Sequence, residues 1–332
     1  MFTEIKQPKE IVKRIVPKWN QFLFFEVTPQ SFHQVSEIVR ENKLRLTVHG
    51  WFRGPNSNFL IEPYIELPLM QYECGDVDVD EEVFREWINP RYLESDIQLQ
   101  IQEDFATESS INLPEFLKFD KFLLLSDVLN RYQAWKKTGP PNRRNFEVLD
   151  EDNCPSIIKH FLDILKSQAM FLTLSNLTGI KLHPLVPDPE SSEDEAGEDD
   201  DLSSDDDNNV SSKNKIAKIK EPTVSPPRCS IQIRKWQNGY YSLIHDHDPE
   251  VINETFKLDA ILHLNHDFKT NRQEGGFVSY ITKGEDEELI CVEPESNYLS
   301  LAYLDPTTVR FVKYLNHSHP QPYHDVSMIF QE

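Results

Sequence analysis

Three side chains near the start of the chain have types and spacing that could bind a metal ion and a dicarboxylic acid. His33 follows one run of aromatic and β-branched residues, and Arg45 and Thr47 lie in the next run, LRLTVHGWF. Side chains two residues apart in a strand point to the same face, so Arg45 and Thr47 are predicted to lie together. A guanidinium binds a carboxylate through two charge-assisted hydrogen bonds, and a hydroxyl can add a third. A single histidine is more often a packing residue, but the presence of Arg45 on the next predicted strand favours a role of His33 as a metal ligand.

Strands and helices are both predicted to surround these residues. QFLFFEV and LRLTVHGWF are rich in aromatic and β-branched residues and are bounded by proline or glycine, as strands are. Apolar residues recur at three- and four-residue spacing over 113–135 and 156–175, which predicts two helices. Pro155 at the start of the second helix and Gly179 just past its end are residues that helix termini prefer. Eight strand patterns follow after residue 228: SIQIRKW, YYSLIHD, LDAILHL, GGFVSYIT, ELICVEP, YLSLAYL, TVRFVKYL and DVSMIFQ. The sequence predicts a mainly β fold with helices, ending in a β-sandwich or jelly-roll barrel.

Charge is concentrated in one segment. The chain has 34 Lys+Arg against 56 Asp+Glu, a formal charge of −22, and 12 of the 20 residues from 188 to 207 are acidic. Such a block cannot bury enough apolar surface to offset its ordering entropy, so 183–228 is predicted to be a disordered linker. The acidic balance argues against direct nucleic-acid binding and favours a basic protein partner. No apolar run has the length of a membrane span, and the first residues do not resemble a signal peptide.

An internal repeat connects the two ends of the chain. At a constant offset of 277, the segment from Trp19 to Val35 matches the segment from Ser296 to Val312. The order of asparagine, strand, proline, strand is kept in both segments, which indicates two copies of one barrel. Arg310 stands opposite His33 at this offset, so chemistry performed by His33 is not expected in the second copy.

Two histidine-rich motifs form a rival metal site. HDHD spans 245–248, and NHSH contains His317 and His319. Clusters of this kind can bind a divalent ion, but histidines in solvent-facing turns are the commoner explanation. Asp325-x-Ser327 stands opposite Arg45-x-Thr47 at an offset that has grown from 277 to 280. An anion thus replaces the predicted carboxylate-binding cation, and Arg310 would repel a metal ion. We therefore expect neither a metal ion nor a dicarboxylate in the second copy.

Several longer stretches carry a family resemblance. They include QPKEIVKRIVPKWNQFLFFEVTPQSFHQVSEIVRENKLRLTVHGWFRGP, LTLSNLTGIKLH, KWQNGYYSLIHDHD and GGFVSYITKGEDEELICVEPESNYLSLAYLD. The sequence resembles the eukaryotic 2-oxoglutarate and iron-dependent ribosomal prolyl 3-hydroxylases. The resemblance implies two double-stranded β-helix (jelly-roll) domains, of which only the first is catalytic. It also implies a dioxygenase that 3-hydroxylates one proline of a small-subunit ribosomal protein and thereby affects translation.

The resemblance also assigns site residues and cofactors. By this likeness His33 is the distal iron ligand, and Arg45 with Thr47 holds the C5 carboxylate of 2-oxoglutarate. The implied cofactors are Fe(II), 2-oxoglutarate and ascorbate, and the implied locations are the cytoplasm and the nucleus. The oligomeric state is left open.

The chain departs from the family at the other iron ligands. The family places a His-x-Asp pair before the distal histidine, whereas His33 is the first histidine here. We therefore expect an N-terminally incomplete chain that is inactive alone, with a non-catalytic module docking a basic ribosomal partner as the alternative function. The expected division is 1–60 for the end of the catalytic domain, 61–182 for a connecting segment with helices, 183–228 for the linker and 229–332 for the non-catalytic domain.

Overall fold

The fold is known from a computed structural model that describes most of the chain outside the acidic segment. The described residues are 8, 10–28, 31–40, 42–54, 73–75, 77–186, 227–244, 256–264 and 272–331. The predicted acidic linker, apart from its ends, and the HDHD motif lie outside them. None of the described helices has the length and apolar content needed to span a membrane.

Strands outnumber helices in the described residues, which confirms the predicted mainly β fold with helices. The strands are β1 (Glu73–Cys74), β2 (Ser110–Leu113), β3 (Trp135–Lys137), β4 (Arg144–Asn145), β5 (Glu147–Leu149), β6 (Arg228–Trp236), β7 (Tyr241–Ser242), β8 (Lys257–His263), β9 (Val278–Thr282), β10 (Glu288–Val292), β11 (Leu299–Leu304), β12 (Thr308–Val312) and β13 (Tyr323–Gln331). The helices are α1 (Glu81–Trp87), α2 (Ser95–Glu108), α3 (Phe119–Arg131), α4 (Ser156–Leu165) and α5 (Gln168–Thr178).

Strands β6 to β13 correspond one by one to the eight predicted strand patterns. An antiparallel eight-stranded sheet has the order β2-β11-β8-β13-β6-β5-β3, and β1 also pairs with β6. A smaller antiparallel sheet has the order β10-β9-β12, and β4 pairs with β7. We call the assembly formed by these sheets the C-terminal sandwich.

Alternation along the central strands separates two buried layers. In β8, Leu258, Ala260 and Leu262 face a core shared with the helices, whereas Ile261 belongs to a second core shared with the small sheet. Because neighbouring strand residues point to opposite faces, one strand can serve both layers. At the helix side, the Phe171 ring of α5 packs edge-on against Phe330 of β13 at 5.0 Å. The second core lies between the large sheet and the small sheet.

The predicted helix over 156–175 is two helices, although Pro155 precedes the first and Gly179 follows the second, as predicted. Chain direction changes at Ser167, whose side chain caps α5 by accepting a hydrogen bond from the backbone N–H of Met170 at 3.2 Å. Gly179 ends α5 in the left-handed conformation, which glycine adopts without strain. The predicted helix over 113–135 is shorter, because Leu113 ends β2 and Trp135 begins β3. Helices α1 and α2 were not predicted.

The two strands predicted in the first part are absent from the described residues 10–54. Trp19 is 99 % exposed and Phe52 is 94 % exposed, so this segment contributes no core. A strand is stabilised by main-chain hydrogen bonds to a neighbour, and no described segment pairs with either run. Local β propensity alone therefore does not form these strands.

The C-terminal sandwich includes residues from before the acidic segment. Strand β2 pairs with β11 from Leu299↔Leu113 to Ala302↔Ser110, and β5 pairs with β6. One core cluster contains both Trp87 of α1 and Met328 of β13. Residues 73–182 are therefore an integral part of the sandwich and not only a connection.

Candidate functional site

The described residues do not bring the three predicted site residues together. His33 is exposed, with its Nδ1 atom 2.9 Å from the Ser31 carbonyl oxygen and its ring edge-on to Phe25 at 5.1 Å. Arg45 is partly buried and Thr47 is exposed, and no hydrogen bond or ion pair in the described segment joins either of them to His33. Their assignment as iron ligand and carboxylate-binding pair stays a prediction.

The second repeat shows what the corresponding positions do in a folded sandwich. Arg310 lies opposite His33 in the repeat, and its side chain points between the two sheets with 2 % exposure. It contacts the carboxylate of Asp259 through Nη1 and donates from Nη2 to Ser327 Oγ at 2.7 Å. Burial opposes the guanidinium charge, but the carboxylate of Asp259 more than offsets this and holds the pKa of Arg310 above its ordinary value.

Tyr280 completes this first interior network. Its hydroxyl donates to Asp259 Oδ2 at 2.9 Å, so the buried carboxylate accepts from both a phenol and a guanidinium. Burial raises the pKa of Tyr280, and the negative charge of Asp259 raises it further. The phenol therefore stays protonated, as a hydrogen-bond donor must.

Asp325 takes part in a second interior network. Its two carboxylate oxygens accept hydrogen bonds from Nε and Nη2 of Arg234, both at 2.7 Å. Arg234 is on β6 and Asp325 is opposite it on β13, and both are almost fully buried. The guanidinium also lies over the Trp236 ring, 5.0 Å from its centre. This bidentate geometry is the strongest form of an arginine–carboxylate pair.

His263 lies next to the second network, on the neighbouring strand β8. It is the register partner of Asp325 on β8, and its Nδ1 atom is buried with no hydrogen-bond partner in the structure. Burial lowers the pKa of His263 to about 4, and the nearby charge of Arg234 acts in the same direction. The imidazole is therefore neutral near pH 7.

Arg310 and Asp325, the two charged residues predicted to exclude chemistry in the second repeat, are thus each paired with an oppositely charged residue inside the sandwich. Sequence reasoning found Arg310 and Asp325 but missed Asp259 and Arg234, which neutralise them. The available signal was one charged residue in an otherwise apolar strand, such as Asp259 within LDAIL. Each interior charge is paired, which is what burial in a low-dielectric interior requires.

The histidines of NHSH do not form a metal site in the structure. His317 Nδ1 lies 2.7 Å from Glu37 Oε1, and the buried His319 packs against the Tyr323 ring at 5.5 Å. Burial lowers the pKa of His319. The residues that the structure describes contain no group of three histidine, cysteine or acidic residues able to hold a metal ion. The described residues alone therefore do not fit an iron site.

Local geometry supports the internal repeat. Asn20 and Asn297, which match at the offset of 277, both have left-handed backbone conformations, with φ of 51° and 60°. The matching turns are also alike: the Ser31 N–H donates to the Thr28 carbonyl at 3.1 Å, and the Thr308 N–H donates to the Asp305 carbonyl at 3.2 Å. Residues 19–35 therefore keep part of the backbone geometry of residues 296–312 without forming strands.

Comparison with known proteins matches both parts of the chain. The 2OG-Fe(II) oxygenase superfamily matches residues 1–53, and Fe(II) and 2-oxoglutarate are the cofactors in its name. Prolyl 3-hydroxylase OGFOD1 of Mus musculus is 41 % identical over 94 % of this chain and 61 % of its own length. Prolyl 3-hydroxylase OGFOD1 of Xenopus laevis is 42 % identical over 95 % of this chain and 58 % of its own length. The chain thus spans about three fifths of the length of these curated relatives.

Among solved structures, a prolyl-4-hydroxylase of Pseudomonas putida overlaps 71 % of this chain and 99 % of its own, with 14 % identity and a TM-score of 0.44. The decisive match is the family described as "Oxoglutarate and iron-dependent oxygenase degradation C-term", which covers residues 79–332. That range is more than half of the chain, and it includes every strand from β2 to β13. The chain therefore belongs to this oxoglutarate and iron-dependent oxygenase family.

Proposed function

We propose that this chain is part of a 2-oxoglutarate and Fe(II)-dependent dioxygenase that 3-hydroxylates a proline of a small-subunit ribosomal protein. The observation that carries the proposal is the 41 % identity to a prolyl 3-hydroxylase over 94 % of the chain. Ascorbate is the expected reductant that keeps iron in the ferrous state. An effect on translation and a location in the cytoplasm and nucleus are part of the same proposal.

His33 supplies one iron ligand in this proposal, and Arg45 with Thr47 binds the distal carboxylate of 2-oxoglutarate. The second repeat supports a position of His33 close to Thr47, because their counterparts, Arg310 and Ser327, are in hydrogen-bond contact. Since no histidine precedes His33 in the chain, we also propose that the chain alone is inactive. One ligand holds a metal ion too weakly for turnover.

We propose two jelly-roll domains, of which the C-terminal sandwich is the second, with the acidic linker between α5 and β6 of this second domain. Its interior is filled by the pairs Arg310–Asp259 and Arg234–Asp325. A ligand entering there would have to break a buried ion pair. The second domain therefore has no chemistry of its own in this proposal.

A chimera tests the catalytic proposal. This chain replaces the matching 61 % of the mouse relative, and the remainder of that relative is kept. We expect the chimera to hydroxylate one proline in purified small ribosomal subunits, measured by mass spectrometry, whereas the chain alone gives only the no-enzyme background. Within the chimera, His33→Ala should abolish turnover and Arg45→Ala should raise the 2-oxoglutarate requirement at least tenfold. His160→Ala, on an exposed face of α4, is the matched control.

A non-catalytic binding module is the second candidate function. The blocked interior of the C-terminal sandwich favours it, and so does the exposed acidic loop from Gly284 to Glu288. Opposite charges favour encounter with a lysine- and arginine-rich ribosomal protein. If the chain binds such a protein in a salt-dependent manner and the chimera shows no proline oxidation, this candidate replaces the first.

A further inference from the structure

The NHSH motif, which holds no metal in the structure, makes a contact with the segment that carries His33. We call residues 31–40 the carrier segment. Glu37 of this segment lies against the turn from Asn316 to Ser318 of the C-terminal sandwich. In the described residues, the carrier segment forms no strand with the sandwich, and it is hydrogen-bonded to the sandwich through the Glu37 side chain.

Glu37 accepts hydrogen bonds from two kinds of donor on that turn. The backbone N–H of His317 lies 3.2 Å from each carboxylate oxygen, and His317 Nδ1 lies 2.7 Å from Oε1. The hydroxyl of Tyr314 donates to Oε2 at 3.4 Å. The Glu37 side chain is 22 % exposed and that of His317 is 39 % exposed, so the contact is partly shielded from water.

The turn holds its shape without Glu37. The side chain of Asn316 accepts from the Ser318 N–H at 2.8 Å and donates to the Gln273 carbonyl at 2.7 Å. The Asn316 N–H donates to the Glu274 carbonyl at 2.9 Å, and Asn238 donates to the His317 carbonyl at 3.3 Å. A carboxylate arriving at this turn therefore meets donors that are already in position, which reduces the entropic cost of docking.

The contact joins corresponding parts of the two repeats. Tyr314 is the counterpart of Glu37 at the offset of 277, so the segment after each repeat meets its own counterpart. Glu37 is also four residues after His33 in the chain. We propose that the NHSH turn is an intramolecular docking site for a carboxylate, and that it holds the carrier segment through Glu37. The second repeat thus positions the segment that bears His33, although it has lost its own chemistry.

A trypsin assay on the full chain tests the docking. Cleavage after Arg40, at the end of the carrier segment, should be about three- to tenfold faster in Glu37→Gln and in His317→Gln, as expected for a lost charge-assisted contact that is partly exposed. The double variant should be no faster than either single variant, because both remove the same contact. Glu26→Gln, an exposed glutamate of the same part of the chain, should leave the rate unchanged.

A cross-link provides a second measurement that does not depend on cleavage. Glu37→Cys combined with His317→Cys should form a disulfide under mild oxidation, whereas Glu26→Cys combined with His317→Cys should not. Equal cleavage rates in Glu37→Gln and Glu26→Gln, additive single variants, or equal cross-linking of both pairs would each overturn the docking site. Both readouts use the protein without iron, so their failure is distinct from failure of the proposed catalytic function.

Discussion

Arg234 and Asp325 face each other on neighbouring strands inside the C-terminal sandwich and are joined by two hydrogen bonds of 2.7 Å. Asp325 is the repeat counterpart of Arg45, the residue predicted to bind a carboxylate. Where a carboxylate-binding cation is predicted in the first copy, the second copy has an anion that is already bound to an arginine. The interior is therefore closed by charge pairing as well as by packing.

Removing one charge of this pair should destabilise the protein strongly. Asp325→Asn leaves the buried guanidinium of Arg234 without its counter-ion, and we expect a loss of about 3–5 kcal/mol in the free energy of unfolding. Urea titration followed by far-UV circular dichroism measures it. Asp127→Asn, which breaks an exposed pair with Arg131 on α3, should cost less than about 1 kcal/mol. Similar losses in the two variants would refute the internal role of the pair.

Acid should destabilise the protein through two buried histidines. Burial lowers the pKa of both His263 and His324 to about 4. The unfolded state therefore binds more protons below about pH 6.5, so stability is full above that pH and is lost as the pH falls through about 4. Each histidine should account for about 3 kcal/mol of this loss.

The contribution of His324 can be isolated by substitution. Its ring stacks on Trp135 at 5.1 Å, so His324→Gln should lower stability somewhat near pH 8 but make the acid dependence shallower. The measurement is the free energy of unfolding from pH 8 to pH 4. His160→Gln, at an exposed position, is the matched control variant. An unchanged slope in His324→Gln would show that this imidazole is not buried in its neutral form.

Asn297 should be sensitive to substitution because its side chain serves as a partner for backbone groups. Its amide accepts from the Leu117 N–H at 3.0 Å and donates to the Leu117 carbonyl at 2.8 Å, and its φ is 60°. We expect Asn297→Ala to cost about 2–4 kcal/mol, because it loses two buried hydrogen bonds and a favourable left-handed residue.

Two further variants separate these causes. Asn297→Gly restores backbone freedom but not the hydrogen bonds, and it should recover only about 1 kcal/mol of the loss. Ser109→Ala, at another left-handed residue with φ of 56°, removes no such side-chain clamp and leaves the left-handed strain as it is, so it should change stability by less than about 1 kcal/mol. Thermal unfolding measures all three. Full recovery by glycine would assign the effect to the backbone alone.

Residues 228–332 should not fold alone, although the sequence predicts 229–332 as a separate domain. Without the helices, the face of the sheet formed by Ile231, Leu262 and Phe330 would be exposed to water. Circular dichroism should show no cooperative thermal transition for this piece, whereas residues 73–332 should give one. A cooperative transition of the short piece would show that the helices are dispensable.

The sequence by itself determined the elements whose pattern is local. Apolar alternation located all eight strands after residue 228, and Gly179 marked the end of a helix. The repeat located Arg310 and Asp325 opposite the predicted site residues. Strand alternation and helix capping depend on residues close together in the chain. The repeat is found by comparing two segments of the sequence, without knowing how either segment packs.

Tertiary structure decided which residues became partners. Asp259 and Arg234 neutralise Arg310 and Asp325 from strands more than 50 residues away. Glu37 reaches His317 across 280 positions. The strong β pattern around Phe24 forms no strand in the described residues, because a strand needs a neighbour that its own sequence does not specify. The packing of whole sheets determines which distant residues pair, and local sequence patterns do not predict these pairs.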